Sequence, residues 1–556
     1  MNPIRPIALL ANTGFLAVIL GGVCLNANAQ PTRADAEKDP VLKAMLTELD
    51  RSKAQLQLKD FAKPFFIQYR IEEIDNLEIK ADFGAVSNSQ RGSGRLARVT
   101  VRVGDSKTDS SGGRGDGAVE LAALEDDPIA IRSALWAATD QAYKSALAAF
   151  AQKQAALKQV QTPPQADDFS RETPLISLAE PLKLSVDQTA WETRLARDTG
   201  LYRTDAAVRD SQREIRYSSG SFTARVTTTR LVNSEGTIVR KSASYFQEGL
   251  AVGAQAADGM KLDRSYSTSG TALKDLDSPD DYRKHAVEII ASLSDLRKAP
   301  LVEEEYHGPL LLSSDAGADT FCALLCSPLT ATRPKLGTEA RTNGPFASSY
   351  HARVLPEAFD VVDDPSLKSY KGEGLIGAYD VDDEGVPAQA VNLIVAGKLE
   401  NYLIGRMPVR DFPRSNGHGR AGFTAPPAPM VGVLQVTAKD GLTDDELNRK
   451  LIDLAKTRSL KDVYYVATMG PNQTPRLLYR VTPDGKRELV RGATLDDLDQ
   501  RALRSSVVAA GKDPWVANYF GEVPETVLAP ALLLDDVTIR RANEKNDKLP
   551  FYPPPE

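Results

Sequence analysis

Residues 377–387 read Gly-Ala-Tyr-Asp-Val-Asp-Asp-Glu-Gly-Val-Pro, so three consecutive acidic residues are followed by a glycine and then a proline. Aspartate, glycine and proline clustered in this way favour a turn. Residues 392–395, Asn-Leu-Ile-Val, come next, and Ala-Gly-Lys at 396–398 separates them from the apolar residues 402–404. We therefore predict a turn between two strands at 380–387, and a hairpin made by strands 393–395 and 402–404.

The sequence around this stretch predicts a β-rich C-terminal domain, residues 301–545. The apolar run at 310–312 is typical of a buried strand, and residues 477–481 and 488–490 surround a Pro-Asp-Gly turn. Thr443 and Glu446 precede an apolar run at the spacing of a capping box, which predicts one helix here. Three prolines near the end indicate a loose tail, residues 546–556.

Residues 30–160 combine helix and strand patterns and are predicted to form an α+β domain. One helix should begin at Asp39 and Pro40 and run to about Leu58, and another should begin at Asp127 and Pro128 and end before Pro163. Alternating apolar residues between them predict strands at 65–69, 77–79 and 99–103, with a polar turn at 87–94.

Residues 161–300 are predicted to form a middle α/β region. Apolar pairs at 231–232 and 238–239 flank Asn-Ser-Glu-Gly, which indicates a hairpin. A helix should begin at Ser278 and Pro279 and end before Pro300, with His285 beside its apolar stripe and therefore on the surface. The predicted fold class is α+β: an α/β N-terminal region followed by a β-rich C-terminal domain.

The first 29 residues have the pattern of an export signal. Arg5 precedes an apolar stretch, and Ala27-Asn28-Ala29 provides a small-residue cleavage site. We expect a mature chain that starts at Gln30 and a periplasmic or secreted location. Lipid attachment at Cys24 is left open, although Val23 is larger than the residue such a modification needs before the cysteine.

The charge and apolar patterns exclude some classes of partner. The net charge of −7 is spread over 556 residues without a Lys/Arg block, so nucleic acid is a poor candidate. No later segment is apolar for long enough to insert stably into a membrane.

The acidic turn and its hairpin resemble the central signature of the TldD/TldE family, the second member also being called PmbA. The signature residues here are Asp382, Asp383, Glu384, Gly385 and Pro387. Residues 414–420, which include Gly417, resemble the family's next turn, and the Ala-Pro and Ala-Pro-Met steps at 425–430 resemble the segment after it. Further ordered matches lie near residues 102–105, 233–236, 490–493 and 529–534.

The resemblance implies a two-subunit body that encloses a cavity in which unfolded peptides are cut. In catalytic members, zinc is held by two histidines of a helical H-E-x-x-x-H and by a distant cysteine, while the glutamate activates water. Such a site needs imidazole or thiolate ligands, an open position for water and a carboxylate base.

This sequence departs from that motif. The family's spacing places Cys322 at the first histidine, Ala323 at the glutamate and Ser327 at the second histidine. No histidine lies between His307 and His351, no glutamate between Glu305 and Glu339, and no cysteine after Cys326. We therefore assign no catalytic or metal-binding residue, and we expect no cofactor unless an atypical zinc site exists.

Several other sets of histidine, acidic and cysteine residues have both a functional and a structural interpretation. His307, His351 and His418 could join Cys322 in a metal site, but isolated histidines are more often surface or hydrogen-bonded residues. The acidic residues 380–384 could bind calcium, although a solvated turn is the simpler interpretation. Asp315 and Asp319 could be a carboxylate pair or helix caps. Cys322 and Cys326 are expected to be small buried side chains rather than a disulfide.

Two functional hypotheses follow. The first is a non-catalytic, TldE-like protein that binds extended peptide or completes a protease with a TldD-like catalytic subunit, as a homodimer or heterodimer. The second is a zinc metallopeptidase that cleaves unfolded peptides at an atypical site. An exported dimer with a structural or chaperone-like role is a third reading that the sequence does not separate from the first.

Overall fold

The structure is a computed structural model that describes residues 31–112, 117–543, 546–550 and 552. The predicted signal peptide, with Cys24, and the prolines of the tail lie outside these residues. The chain is a mixed α/β protein whose C-terminal region is rich in strands, which confirms the predicted fold class. Over the described part of the chain, no helix is long and apolar enough to cross a membrane.

The N-terminal half begins with helices and continues into long strands. Its elements are α1 (Arg33–Ala36), α2 (Pro40–Gln55), β1 (Pro64–Asp82), β2 (Ala85–Val103), β3 (Ala118–Leu121), α3 (Pro128–Leu157), β4 (Ile176–Leu178), α4 (Gln188–Thr199), α5 (Leu201–Thr204), β5 (Ile215–Asn233), β6 (Ile238–Gln255), β7 (Lys261–Gly270) and α6 (Pro279–Lys298). The helices predicted at Pro40, Pro128 and Pro279 are confirmed, with caps at Asp39, Asp127 and Ser278.

One seven-stranded sheet spans this half, in the order β3-β2-β1-β5-β6-β4 with β7 also paired to β6. Tyr69 and Ile71 of β1 point into a core formed with α2 and α3. Leu77 and Ile79 continue the same face, where the core is formed with α4. The intervening residues, such as Arg70 and Glu72, face the other side of the sheet. The sheet therefore turns its helix-free face towards the rest of the molecule.

Two predictions in this half are wrong. Residues 65–69 and 77–79 belong to the single strand β1, and the polar segment 87–94 lies within β2 rather than in a turn. The hairpin turns at Phe83 and Gly84. The polar residues are tolerated because this end of β2 is largely exposed, while its backbone is paired with β1 from Leu77↔Arg91 to Ile79↔Ser89.

The C-terminal half consists of many short strands and three helices within the described residues. Its elements are β8 (Tyr306–Leu312), α7 (Ser314–Phe321), β9 (Phe359–Asp363), β10 (Ser369–Tyr370), β11 (Glu373–Gly374), β12 (Val391–Val395), β13 (Lys398–Leu399), β14 (Gly419–Arg420), β15 (Ala428–Pro429), β16 (Val433–Ala438), α8 (Asp444–Thr457), β17 (Val463–Met469), β18 (Pro475–Val481), β19 (Arg487–Val490), β20 (Ala493–Asp496), α9 (Gln500–Ser505), β21 (Val507–Ala510), β22 (Trp515–Tyr519), β23 (Glu525–Ala529) and β24 (Leu532–Arg541).

Two sheets enclose the C-terminal core. One has the order β13-β12-β9-β16-β23-β22, and the other has the order β19-β18-β17-β8-β24-β20 with β21 also paired to β24. Ala316, Ala318 and Phe321 of α7 lie in the core between them. The helix α8 packs on the opposite face of the second sheet through Leu447 and Leu451. The helix that corresponds to the family's motif is therefore held at the centre of this domain.

The acidic turn follows the prediction, and the hairpin after it follows the prediction in part. Residues 381 and 387 pair as an isolated bridge, so the turn closes between β11 and β12. The first strand and the turn of the predicted hairpin form, but its second strand is β13, so the prediction of residues 402–404 as that strand is wrong. The chain leaves the sheet there, because Leu403 exchanges backbone hydrogen bonds with Leu329 and Ala331.

Candidate functional site

The helix at the motif position changes its winding where the family's ligands would stand. Ser313 caps α7 by accepting a hydrogen bond from the Ala316 amide, and residues Cys322–Cys326 then form a π-helical turn. The i→i+5 bonding of a π turn is rare and brings residues four and five apart to the same side of the helix. The Sγ atoms of Cys322 and Cys326 are 3.2 Å apart.

These residues do not fit the zinc ion that the family resemblance implies. Two thiolates on one tetrahedral zinc, with Zn–S bonds of about 2.3 Å, stand about 3.8 Å apart, and a catalytic site needs a third protein ligand. Within the described ranges, no three His, Cys, Asp or Glu side chains converge as metal ligands. Ala323 has no group that could take a proton from water, and Ser327 has only a hydroxyl.

Two carboxylates lie on α7 before this turn. Asp319 accepts a 2.8 Å hydrogen bond from the Tyr519 hydroxyl. Burial, together with the neighbouring Asp319, raises the pKa of Asp315 to about 6. Neither side chain caps the helix, because Ser313 does so. The capping expectation for these two residues was therefore wrong.

The three C-terminal histidines lie apart from Cys322. His307 pairs with Glu305, and His351 pairs with Glu400, both on the surface. His418 is fully buried, and its Nε2 lies 3.1 Å from the Asp363 carboxylate, which also accepts hydrogen bonds from the amides of residues 432 and 433. Each histidine therefore has a local structural partner. His285 is partly exposed on α6, as predicted.

The acidic turn is buried, so the expectation of a solvated turn holds only for Asp380, which pairs with Lys368 at the surface. Asp382 accepts hydrogen bonds from the amides of residues 384, 386 and 419. Asp383 accepts one from the Ala421 amide and pairs with Lys241 of β6 at 2.7 Å. Burial of the turn is possible because backbone amides and a lysine satisfy the carboxylates.

The surroundings of the turn shift the pKa values of Asp382 and Asp383 in opposite directions. Burial opposes ionisation of Asp383, but the charges of Lys241, Arg70 and Arg420 prevail and hold its pKa at about 2. Burial and the adjacent Glu384 raise the pKa of Asp382. Glu384 accepts a 2.6 Å hydrogen bond from the Arg406 amide. The signature residues Asp382, Asp383 and Glu384 thus fasten neighbouring loops and a strand of the N-terminal sheet to one another.

Glycine and proline complete this arrangement. Gly385 has a φ of +81°, which lets the turn reverse. Gly417 has a φ of +77°, and a side chain there would collide with the carbonyl oxygen of Pro387. The Tyr379 hydroxyl donates a 2.8 Å hydrogen bond to the Gly417 carbonyl. The acidic turn and these two glycines therefore form a structural joint between neighbouring loops and the N-terminal sheet.

The joint forms one wall of a cavity of about 410 Å³ between the helix-free face of the N-terminal sheet and the C-terminal domain. This volume lies within the usual range of ligand pockets, about 300–1,000 Å³. The sheet contributes Glu72, Thr229 and Lys241, which are cross-strand neighbours on β1, β5 and β6. The C-terminal domain contributes Tyr379 and Arg420, and the Arg420 guanidinium lies 4.4 Å from the Tyr379 ring centre.

Glu72 is the least satisfied polar group in this wall. The residue is 5% exposed, and its Oε2 atom has no hydrogen-bond partner among the described residues. Its other oxygen is 3.7 Å from Arg70, whose guanidinium donates to the Gly422 carbonyl. Burial raises the pKa of Glu72 to about 7 against the opposing charge of Arg70. An unsatisfied buried carboxylate beside a cavity is an acceptor that a ligand could use.

Sequence reasoning missed Glu72 and the other sheet residues of the cavity. Glu72, Thr229 and Lys241 belong to no motif, and more than 150 positions separate the first from the second. No local signal singled Glu72 out, because Arg70, Glu73 and Asp75 are charged neighbours on the same strand β1. Only the pairing of β1 with β5 brings these side chains together.

Comparison with known proteins gives one family and one fold. Residues 307–541 match the model of the PmbA/TldA metallopeptidase C-terminal domain. Among curated proteins, none matches significantly. Similar solved structures include a Thermotoga maritima protein described as a candidate modulator of a DNA gyrase, at 15% identity and a TM-score of 0.58, covering 89% of this chain and 100% of that one.

Two further structures have the same fold. TldE from Thermococcus kodakarensis has 14% identity and a TM-score of 0.58, covering 89% of this chain and 99% of that one. A Bacteroides thetaiotaomicron protein, also described as a candidate modulator of DNA gyrase, has 11% identity and a TM-score of 0.57, covering 90% and 98%. The likeness therefore extends over nearly all of the described chain.

Proposed function

The chain belongs to the TldD/TldE (PmbA) metallopeptidase-related family, and from this we propose that it is a non-catalytic, TldE-like member that binds extended peptide in the cavity between its two halves. The observation that carries the proposal is the cavity itself, with the unpartnered carboxylate oxygen of Glu72 in its wall. Peptides carry many N–H groups and cationic side chains, and such an oxygen can accept hydrogen bonds from them. The hydroxyl groups of Thr227, Thr229 and Tyr245 in the cavity wall supply further hydrogen bonds.

The non-catalytic part of the proposal is supported by the residue types on the π turn and directly after it. Cys322, Ala323 and Ser327 stand where catalytic members carry two ligands and a base. General acid–base help is typically worth about 10²–10⁴-fold in rate. A chain that lacks both the base and the ligand set would bind substrate without hydrolysing it.

Peptide binding can be tested with fluorescent unstructured peptides and anisotropy. We expect a peptide with a basic residue to bind, and Glu72→Gln to weaken its binding about tenfold, the effect of losing roughly 1.4 kcal/mol. Glu78→Gln is the matched control, because Glu78 lies on the same strand and face but outside the cavity. Equal binding by all three proteins would contradict the assignment of the cavity.

The same assay should depend on pH. The pKa of Glu72 is raised to about 7 chiefly by burial. Its carboxylate is therefore ionised above that pH and protonated below it. Affinity for a cationic peptide should fall as the pH is lowered from 8 to 6 in the wild type, and this dependence should disappear in Glu72→Gln.

Zinc analysis separates the proposal from a metallopeptidase with an atypical site. Protein purified without chelator should contain less than stoichiometric zinc and should not cleave unfolded peptides, with or without added zinc. One zinc per chain together with turnover that a chelator abolishes would overturn the non-catalytic reading. Single substitutions of Cys322, His307, His351 and His418 would then identify the ligands.

We also propose that the protein is exported and works as a dimer, with itself or with a TldD-like catalytic subunit. The export pattern of residues 1–29 and the family resemblance support this. N-terminal sequencing should find Gln30 first on protein from the periplasmic or secreted fraction. Light scattering, alone and after mixing with an exported family member that carries H-E-x-x-x-H, should give twice the mass of one chain.

A further inference from the structure

Cys322 and Cys326 are the only cysteines among the described residues, and their sulfur atoms face each other on the π turn. The Cys326 thiol donates a hydrogen bond to the Cys322 sulfur at 3.2 Å. A disulfide requires an S–S distance of about 2.05 Å, so the two sulfurs need to approach by only about 1 Å.

The winding of the helix explains this proximity. Residues four apart in an α-helix have Cβ atoms about 5–6 Å apart, whereas a disulfide needs about 3.5–4.5 Å. This mismatch is the reason that the sequence favours two inert thiols. The π turn spans Cys322–Cys326, so the pair lies where the α-helical geometry has already been abandoned.

The two thiols differ in accessibility. Cys326 is buried in the core with Leu324 and Leu325, while Cys322 is partly exposed at its edge. The hydrogen bond to Cys322, together with burial, raises the pKa of Cys326 well above that of a free thiol. Cys322 is therefore the sulfur that a reagent meets first, and Cys326 is the internal thiol held beside it.

We propose that Cys322 and Cys326 form a dithiol–disulfide site that reacts with low-molecular-weight disulfides. The Cys322 thiolate attacks one sulfur of the incoming disulfide, forming a mixed disulfide and releasing the first thiol. Cys326 then loses its proton and attacks the Cys322 sulfur, which closes the intramolecular disulfide and releases the second thiol. In balance, the protein loses two electrons and two protons, and the reagent gains them as two thiols.

The proposal does not depend on peptide binding, because the cavity wall and the cysteine pair share no residue. It assigns a redox role to the place where catalytic family members hold zinc. In an oxidising compartment the site would be closed, and in a reducing one it would be open.

The test uses full-length protein with Cys24→Ser, reduced, desalted and then titrated with oxidised glutathione under native conditions. Intact mass should fall by two hydrogen atoms, and the number of thiols that react with iodoacetamide in denaturant should fall from two to none. Reduction with dithiothreitol should restore both thiols. Failure to lose two hydrogens at any glutathione ratio would overturn the proposal.

Variants assign the order of attack. Cys326→Ser should stop at a stable mixed disulfide, seen as one added glutathionyl group, while Cys322→Ser should react far more slowly because only the buried thiol remains. Cys326→Ala serves as a second variant if the serine hydroxyl disturbs the core, and circular dichroism checks that each variant is folded. A wild type that accumulates the same mixed disulfide as Cys326→Ser would contradict the role of Cys326 as resolving thiol.

Discussion

At the scale of single residues, the acidic joint depends on Gly417, which has no side chain. Gly417 is buried with a φ of +77°, and an added Cβ would collide with the Pro387 carbonyl oxygen. Left-handed backbone alone costs other residues about 1–2 kcal/mol, and overpacking adds about 1–3 kcal/mol. Gly417→Ala should therefore lower the free energy of unfolding by roughly 2–5 kcal/mol in urea denaturation.

Gly372 offers a control with the same backbone constraint. Its φ is +93°, it is exposed, and an added Cβ would meet no atom of the described residues within 4 Å. Gly372→Ala should cost only the backbone share, about 1–2 kcal/mol. If the two variants were equally stable, the close approach of residues 387 and 417 would have no energetic weight in the joint.

Single residues also show what could not be predicted from the sequence. The acidic residues 382–384 were identified from the sequence, yet their burial was not, because three carboxylates in a row usually face solvent. They are buried because amides of residues 384 and 386 in the turn itself, and of residues 419 and 421 in a distant segment, donate hydrogen bonds to them. The contacts from residues 419 and 421 are long-range, so no local sequence pattern indicates them.

At the scale of elements, helix α8 shows what local sequence does determine. Thr443 accepts a hydrogen bond from the Glu446 amide, and the Glu446 carboxylate accepts one from the Thr443 amide at 2.8 Å. Loss of such a cap typically costs about 1 kcal/mol. Thr443→Ala should therefore lower the free energy of unfolding by about this amount.

Thr457→Ala is the matched control for this prediction. Thr457 is the last residue of the same helix and is exposed, so its loss should change stability by less than about 0.5 kcal/mol. Thermal unfolding followed by circular dichroism compares both variants with the wild type. A Thr457→Ala variant as unstable as Thr443→Ala would attribute the effect to threonine itself and not to the cap.

Caps and short hairpins were predictable because their hydrogen bonds join residues two to four apart. The long hairpin β1–β2 was not, since pairing along 19-residue strands overrides the turn preference of the polar segment 87–94. The π turn at Cys322–Cys326 was not predictable either. Its residues Cys-Ala-Leu-Leu-Cys read as ordinary helix, and the altered winding appears only in the packed core.

At the scale of the whole molecule, Arg406 connects the two halves. This buried side chain donates to the Ser170 carbonyl at 2.6 Å and pairs with Glu235, in the β5–β6 hairpin, at 2.7 Å. Its guanidinium also lies 4.1 Å from the ring centre of Phe169. Neither half offered a sequence signal for this contact, because its residues are separated by more than 150 positions.

We predict that Arg406 and Glu235 are energetically coupled across the two halves. In a double-mutant cycle, Arg406→Met and Glu235→Gln should show an interaction energy of about 1–3 kcal/mol, because the pair is shielded from solvent on the arginine side. The half-exposed pair Arg480 and Glu488 lies within one hairpin, so its matched cycle should give less than about 1 kcal/mol.

Tryptophan fluorescence in urea provides the measurement. Trp191 lies in the N-terminal half and Trp515 in the C-terminal half, so single-tryptophan variants report on each half separately. In the wild type the two transitions should coincide, and in Arg406→Met they should separate because the halves lose a shared buried contact. Coincident transitions in Arg406→Met, or a coupling energy no larger than that of the surface pair, would mean that the contacts of Arg406 do not couple the unfolding of the two halves.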